Sequence, residues 1–350
     1  MKTRIVRTAR LGMIALVLVG TLVYVQRVPW TPAIGTMRHA SLALLALALC
    51  FHFMALTGKA GIWWVFLRPL GGPPFTTVAR GTLMGATLNI LFVGSSGEAG
   101  RVLLMSRLTG IPSASVLATV MLERAVDLCG FLTLLACAAL LFPIPRMPGI
   151  GVWVVLSIAV IALAHWACST RARRRIAAPS ASHALVRRCQ RYARHVFAST
   201  REIATTRRVA VAVALTLVDW CSELASYSLI AHAAHFPIGV RGSLLALLAV
   251  NVGFVVRVTP GNVGVFELVY ASVAHSLGLP TDIAFGVALM LHLVQDVPTA
   301  MLGLVFGGRF FAPRSSAAAR KDRPSDALQR PTTLPSSAAS YLEPARGTLP

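Results

Sequence analysis

A chain of 350 residues that is 56% hydrophobic and only 13% charged lacks the surface of a soluble domain, whose charged share is about 25%. Its 33 Lys and Arg against 12 Asp and Glu would suit nucleic acid in a soluble protein. Here the cations lie between apolar runs and at both ends, as in loops facing anionic lipid, so nucleic acid is excluded as a partner.

Lys2, Arg4, Arg7 and Arg10 precede an apolar run over 11–25. It reads as a retained first helix, because no small-x-small cleavage site follows. A second run covers 40–56, ahead of Lys59 and Arg68. A broken region over 75–110 comes next, its apolar half stopping at Gly94-Ser95-Ser96-Gly97. Spans are expected at 113–142 and 151–168, joined by a short Pro-rich turn. Residues 171–208 then hold eleven arginines against the single Glu202, which marks the cytoplasmic loop 169–208. A span over 209–234, a second broken region over 242–278 and a span over 282–307 complete the apolar part. Residues 309–350 are rich in Pro, Ser and Ala without apolar periodicity and read as a disordered cytoplasmic tail.

The two broken regions share one plan. Arg80-Gly81-Thr82-Leu83 opens the first, which turns at Gly97-Glu98-Ala99-Gly100-Arg101 and restarts at Gly110-Ile111-Pro112 ahead of Asp127. Arg241-Gly242-Ser243-Leu244 opens the second, which turns at Pro260-Gly261-Asn262-Val263-Gly264 and restarts at Gly278-Leu279-Pro280 ahead of Asp296. Paired Gly- and Pro-broken segments in two halves are the sequence mark of a transport site. With both termini and the arginine-rich loop cytoplasmic, and each broken region a hairpin, the halves 75–142 and 241–307 run in opposite directions. The expected fold is therefore an all-α integral membrane protein, with six or more spanning helices plus two Gly-broken re-entrant hairpins in an inverted repeat. Residues 1–308 form its transmembrane domain. Non-helical backbone at membrane depth has to be buried or line a wet cavity, so the hairpin tips are expected to meet inside.

Eight of the twelve acids (Glu98, Glu123, Asp127, Asp219, Glu223, Glu267, Asp282, Asp296) lie in or beside apolar segments. A lone charge at mid-bilayer costs about 2.5–3.5 kcal/mol on insertion scales, so these carboxylates are expected to be paired and to face the bundle interior. Glu98, Arg101, Arg257 and Glu267 flank Gly97, Gly100, Gly261 and Gly264, where bare backbone can approach a ligand; this set is the candidate substrate site. Glu123, Arg124, Asp127, Asp219, Glu223 and Asp296 are candidates for proton coupling or for ion pairs that fix helix packing. Asp219 and Glu223 share a helix face without a basic residue nearby, which leaves a bound proton or an arginine from elsewhere, such as Arg101 or Arg257. His292 shares a face with Asp296 and suits a proton relay. Trp30, Trp63, Trp64 and Trp153 near span ends read as interfacial belts. Six scattered cysteines without CxxC spacing, and His232 and His235 without a nearby carboxylate, imply no disulfide framework, metal or cofactor.

Gly97-Glu98-Ala99-Gly100-Arg101, Gly110-Ile111-Pro112, Leu122-Glu123-Arg124 with Asp127, and Pro260-Gly261-Asn262-Val263-Gly264 with Glu267 resemble the transmembrane region of lysylphosphatidylglycerol synthases. That family includes stand-alone flippase-like proteins, among them one associated with hopanoid biosynthesis. The resemblance covers residues 11–308 and implies a bacterial inner-membrane protein that binds or translocates a lipid or lipid-linked molecule. Asn262 stands where the family often has a second glycine, and Phe266 where an arginine often precedes the glutamate. The 42 residues after Gly308 are too few for the soluble aminoacyl-transfer domain, so lysyl transfer is not expected.

The function expected from all this is flippase-like lipid transport without catalysis, the partners being membrane lipids. Arg101 and Arg257 would attract an anionic headgroup, while Glu98 and Glu267 orient them or meet a cationic one. The alternatives are an intramembrane lipid-modifying transferase, or a scaffold whose arginine-rich loop docks a lipid-biosynthesis enzyme. Inverted halves require that cysteines placed at positions 80 and 241 react with an impermeant thiol reagent from opposite sides of the bilayer; labelling from one side would refute the inversion.

Overall fold

Backbone groups surrounded by hydrocarbon have to be satisfied within the chain. The computed structural model does this with helices and no strand among the described residues, which are 30–92, 96–141, 195–196, 198–200, 202–254 and 259–311. Residues through Gly308 belong to one compact unit, and Arg309–Pro350 to a second, of which only the end of the last helix is described. In chain order the helices are α1 (Trp30–Arg38), α2 (Leu42–Leu67), α3 (Phe75–Leu91), α4 (Ser96–Thr109), α5 (Ser113–Leu141), α6 (Thr206–Ala233), α7 (Gly239–Gly253), α8 (Val265–Ser276) and α9 (Thr281–Phe311). Single 3-10 turns at Arg68–Leu70 and Pro260–Asn262 follow α2 and precede α8.

Three stretches among the described residues are long and apolar enough to cross a membrane: Leu42–Leu70, Thr206–Ala233 and Thr281–Phe306; α7 is a shorter apolar helix. The second and third match the spans expected at 209–234 and 282–307. The first corrects the reading of 40–56 followed by a polar break, because Lys59 continues the helix instead of ending it. Its flank is small, with Gly58 packed on Asp219 of α6, so the lysine stem is accommodated between the helices. Helix α5 has the expected extent but carries Glu123, Arg124 and Asp127, which removes it from the apolar set. The expected spans over 11–25 and 151–168, most of the loop 169–208 and the tail lie outside the described residues. At that loop's end, Arg207 and Arg208 already belong to α6.

The segments α3–α4–α5 and α7–α8–α9 follow one order, with helices of 17, 14 and 29 residues in the first and 15, 12 and 31 in the second. Each middle helix stops at a glycine in left-handed conformation, Gly110 at φ 73° and Gly278 at φ 76°. There a Cβ would be strained, and a proline two residues on opens the next helix. The Leu279 amide donates back to the Ala274 carbonyl at 2.9 Å, which closes the second of these stops.

Small residues set the helix spacing, as is usual where the solvent is itself apolar. A Cβ on Gly97 of α4 would stand 2.1 Å from the Gly85 carbonyl oxygen of α3, and one on Gly100 would stand 2.5 Å from Leu88. On the other side of α3, a Cβ on Gly303 of α9 would fall 1.8 Å from the Thr87 hydroxyl. The principal core lies between α6, α7, α8 and α9, around Tyr227, Leu247, Tyr270 and Leu291. Because the obstacle at Gly97 is backbone, Gly97→Ala is expected to destabilise the protein by about 1–3 kcal/mol. Heating followed by size-exclusion chromatography in detergent should show an earlier loss of the monodisperse peak. Gly35→Ala in α1, where nothing lies within 4 Å, should leave the profile unchanged.

Candidate functional site

Helices α2 to α9 and the turn before α8 line a cavity of about 430 Å³. Ten of its lining residues are His, Lys, Arg, Asp or Glu: His52, Lys59, Arg101, Glu123, Arg124, Asp127, Asp219, Glu223, His292 and Asp296. Their neutralisation organises the site.

On one wall Arg101 of α4 grips Glu123 of α5 with both guanidinium ends, Nη1 to Oε1 at 3.1 Å and Nη2 to Oε2 at 2.5 Å. Both residues are buried, and the guanidinium also lies 4.0 Å from the Trp63 ring centre, so the charge is compensated twice. A Cβ on Gly85 would overlap the Arg101 stem, which explains that glycine. Beside this pair, Arg124 donates to Glu98 at 2.7 Å and to Asp127 at 3.3 Å, and Asp127 accepts the Trp220 indole at 3.2 Å. Glu98, Arg101, Glu123, Arg124 and Asp127 thus form one network between α4 and α5.

On the opposite wall, the Lys59 ammonium stands 3.9 Å from Asp219, and His52 Nδ1 stands 3.6 Å from Glu223. Gln295 of α9 donates to Glu223 at 3.4 Å and to Ser226 at 3.0 Å. Among the described residues a lysine and a histidine from α2 face Asp219 and Glu223, and Arg101, one of the two arginines named for them, pairs with Glu123 instead. The sequence alone did not single out Lys59 or His52 for this place. The available signal was helical register, since His52 and Lys59 are seven apart and share a face.

The turn before α8 meets the end of α3. A Cβ on Gly261 would lie 3.6 Å from the Ile90 carbonyl oxygen at the end of α3, and 3.8 Å from Asp296. Next to it Asn262 occupies left-handed space at φ 57°, buried, with neither side-chain atom hydrogen bonded. Glu267 in the first turn of α8 is fully buried. Its Oε2 accepts the Gly264 amide at 2.7 Å, and its Oε1 lies 2.7 Å from His292 Nδ1. His292 Nε2 faces Asp296 at 3.8 Å, so the relay expected from the shared helix face has a further carboxylate behind it.

Gly97 and Gly100 seat α4 on α3, Gly261 lines the cavity, and Gly264 donates to Glu267. Arg257 lies outside the described residues. Trp63 corrects the belt reading: it is fully buried, its indole N–H donating to Thr119 at 2.9 Å. Trp64 remains near the end of α2, its indole donating to the Pro73 carbonyl at 3.0 Å and Arg68 stacked on its ring.

A model of the lysylphosphatidylglycerol synthase TM region matches residues 10–303. A comparison with curated proteins returns no match.

Removing one member of a buried ion pair strands the other, a loss of about 3–5 kcal/mol, whereas replacing both by apolar groups of similar volume is close to neutral. Glu123→Leu alone should therefore lower the melting temperature in detergent more than the double change of Arg101→Met with Glu123→Leu. Equal losses would show that the pair is not coupled.

Proposed function

Because the chain belongs to the lysylphosphatidylglycerol synthase transmembrane-region family, and so is a multi-pass membrane protein related to lipid metabolism or transport, we propose that it binds a lipid or lipid-linked headgroup in the polar cavity and carries it across the bacterial inner membrane. The observation that carries this reading is ten titratable or charged side chains gathered around one cavity, six of them (His52, Lys59, Asp219, Glu223, His292 and Asp296) on helices apolar enough to span a bilayer. Such residues are costly at membrane depth and mark substrate or ion pathways.

The volume supports a headgroup as cargo. At about 430 Å³ the cavity is at the small end of the range for ligand pockets, roughly 300–1,000 Å³, so a headgroup fits while acyl chains stay in lipid. Among the described lining residues the exposed cations are Lys59 and Arg124, whose side chains are 35% and 46% exposed, whereas Arg101 is 5% exposed. We therefore assign phosphate contact to Lys59 and Arg124 and a positioning role to Arg101 and Glu123. Glu98 aims Arg124. In this reading α3–α5 and α7–α9 are inverted arms, both termini are cytoplasmic, and the glycine corners are the seam along which one arm moves against the other.

The test uses vesicles of phosphatidylethanolamine and phosphatidylglycerol containing the full chain and a trace of fluorescent phosphatidylglycerol, with dithionite reporting the leaflet. Lys59→Ala and Arg124→Ala are each expected to slow redistribution by about tenfold, equivalent to one charge-assisted hydrogen bond of ~1.5 kcal/mol. Unchanged rates with both variants normally inserted would remove the headgroup role.

A further inference from the structure

The cavity's charges do not close with permanent cations alone. Among the described lining residues, five acids (Glu123, Asp127, Asp219, Glu223, Asp296) meet three cations (Lys59, Arg101, Arg124). The cations take Asp219, Glu123 and Asp127 respectively. The two lining acids left without a permanent cation each face a histidine: Glu223 stands 3.6 Å from His52, and Asp296 stands 3.8 Å from His292; Arg124 also holds Glu98 and His292 also holds Glu267, both outside the lining, so the surplus of carboxylates is larger still. Histidine differs from lysine and arginine in that its charge comes and goes near neutral pH. A low-dielectric site that balances surplus carboxylates with imidazoles adjusts its charge by taking up protons.

We propose that His292, pinned by Glu267 and facing Asp296, is a proton-exchange site in the wall of the cavity. The geometry divides the roles of its two nitrogens. Nδ1 lies 2.7 Å from a fully buried carboxylate whose other oxygen is occupied by the Gly264 amide, so in the neutral ring Nδ1 carries the hydrogen and donates. Nε2 is then the free base. It is buried beside the Gly261 backbone and points to Asp296, which lines the cavity and keeps 32% of its side chain exposed.

Protonation of Asp296 from the cavity, followed by a side-chain rotation across the 3.8 Å gap, breaks the carboxyl O–H bond and forms Nε2–H. The products are a carboxylate and an imidazolium, and the reverse transfer releases the proton. Phe266 stacks on the imidazole at 4.2 Å between ring centres and holds its plane. The other titratable groups of this region are His52 of α2, Glu223 and Tyr227 of α6, and Tyr270 of α8. Thr299 ties the two histidine pairs to one helix, its hydroxyl lying 3.1 Å from His52 Nε2 and donating to the Gln295 carbonyl at 2.7 Å.

On the transport reading this site couples headgroup movement to protons, and the test separates the two claims. Solid-state nitrogen NMR of ring-labelled histidine in the full chain, reconstituted in vesicles of phosphatidylethanolamine and phosphatidylglycerol, reads the protonation of His292, assigned by the signal that His292→Asn removes. Between about pH 5 and 8 the His292 signal should titrate. Its midpoint should move by about one pH unit or more in both Asp296→Asn and Glu267→Gln, since each change removes an adjacent carboxylate, and return toward the wild-type value in Asp296→Glu. A signal that does not titrate, or a midpoint that neither amide variant moves, overturns the site.

In the same vesicles an imposed pH gradient should accelerate redistribution of fluorescent phosphatidylglycerol, and His292→Asn should lose that response. Lipid movement that ignores the gradient in the wild-type chain overturns the coupling. A titrating His292 in vesicles where no lipid moves under any gradient sinks the transport reading and leaves the proton site standing.

Discussion

A charge taken into hydrocarbon has to bring its counter-charge with it, and this requirement organises the interior. Arg101 reaches Glu123 from a neighbouring helix, Lys59 reaches Asp219, and Arg124 is shared by Glu98 and Asp127. Except for Arg124 with Asp127 inside α5, each pair joins two helices, so neutralisation and helix packing are one problem with one solution. The aromatic rings serve the same end: Trp63 covers a guanidinium, and Trp220 donates to Asp127.

Arginine pairs and histidine pairs occupy different parts of the cavity. The arginine pairs sit between α4 and α5, whereas the histidine pairs gather along α9, where His292, Gln295, Asp296 and Thr299 fall at i, i+3, i+4 and i+7. One helix therefore presents a continuous polar stripe to the interior while the rest of its surface stays apolar, with Leu293, Val297 and Leu304 exposed.

Local features of this arrangement were legible in the sequence. The Gly-x-Pro restarts at 110–112 and 278–280 and the glycine corners depend on backbone rules that act over a few residues. The helices duly stop and start there. That most of these acids would be paired inside also followed from composition, although Asp282, in the first turn of α9, is exposed instead because it lies at the helix end. The identity of the partners did not, because His52 and Glu223, Lys59 and Asp219, or Arg101 and Trp63 are joined only by the register of helices distant in the chain. Arg101 shows the difference: its neighbours in sequence are glycines, which suggested an open anion site, yet the close packing those glycines permit is what buries its stem. Lys59 shows the converse, since a lysine that seems to end an apolar run continues it once an aspartate stands across the groove.

Glycine contacts on two sides of α3 restrict how the cavity changes shape. Gly97 of α4 fits the Gly85 carbonyl, and Gly303 of α9 fits Thr87, so α3 is gripped like a keyed shaft between two hubs. Slipping it one turn along either neighbour would drive a larger side chain into a notch that admits only hydrogen. Axial sliding is thereby opposed on both sides, which ties the register of α3 to those of α4 and α9.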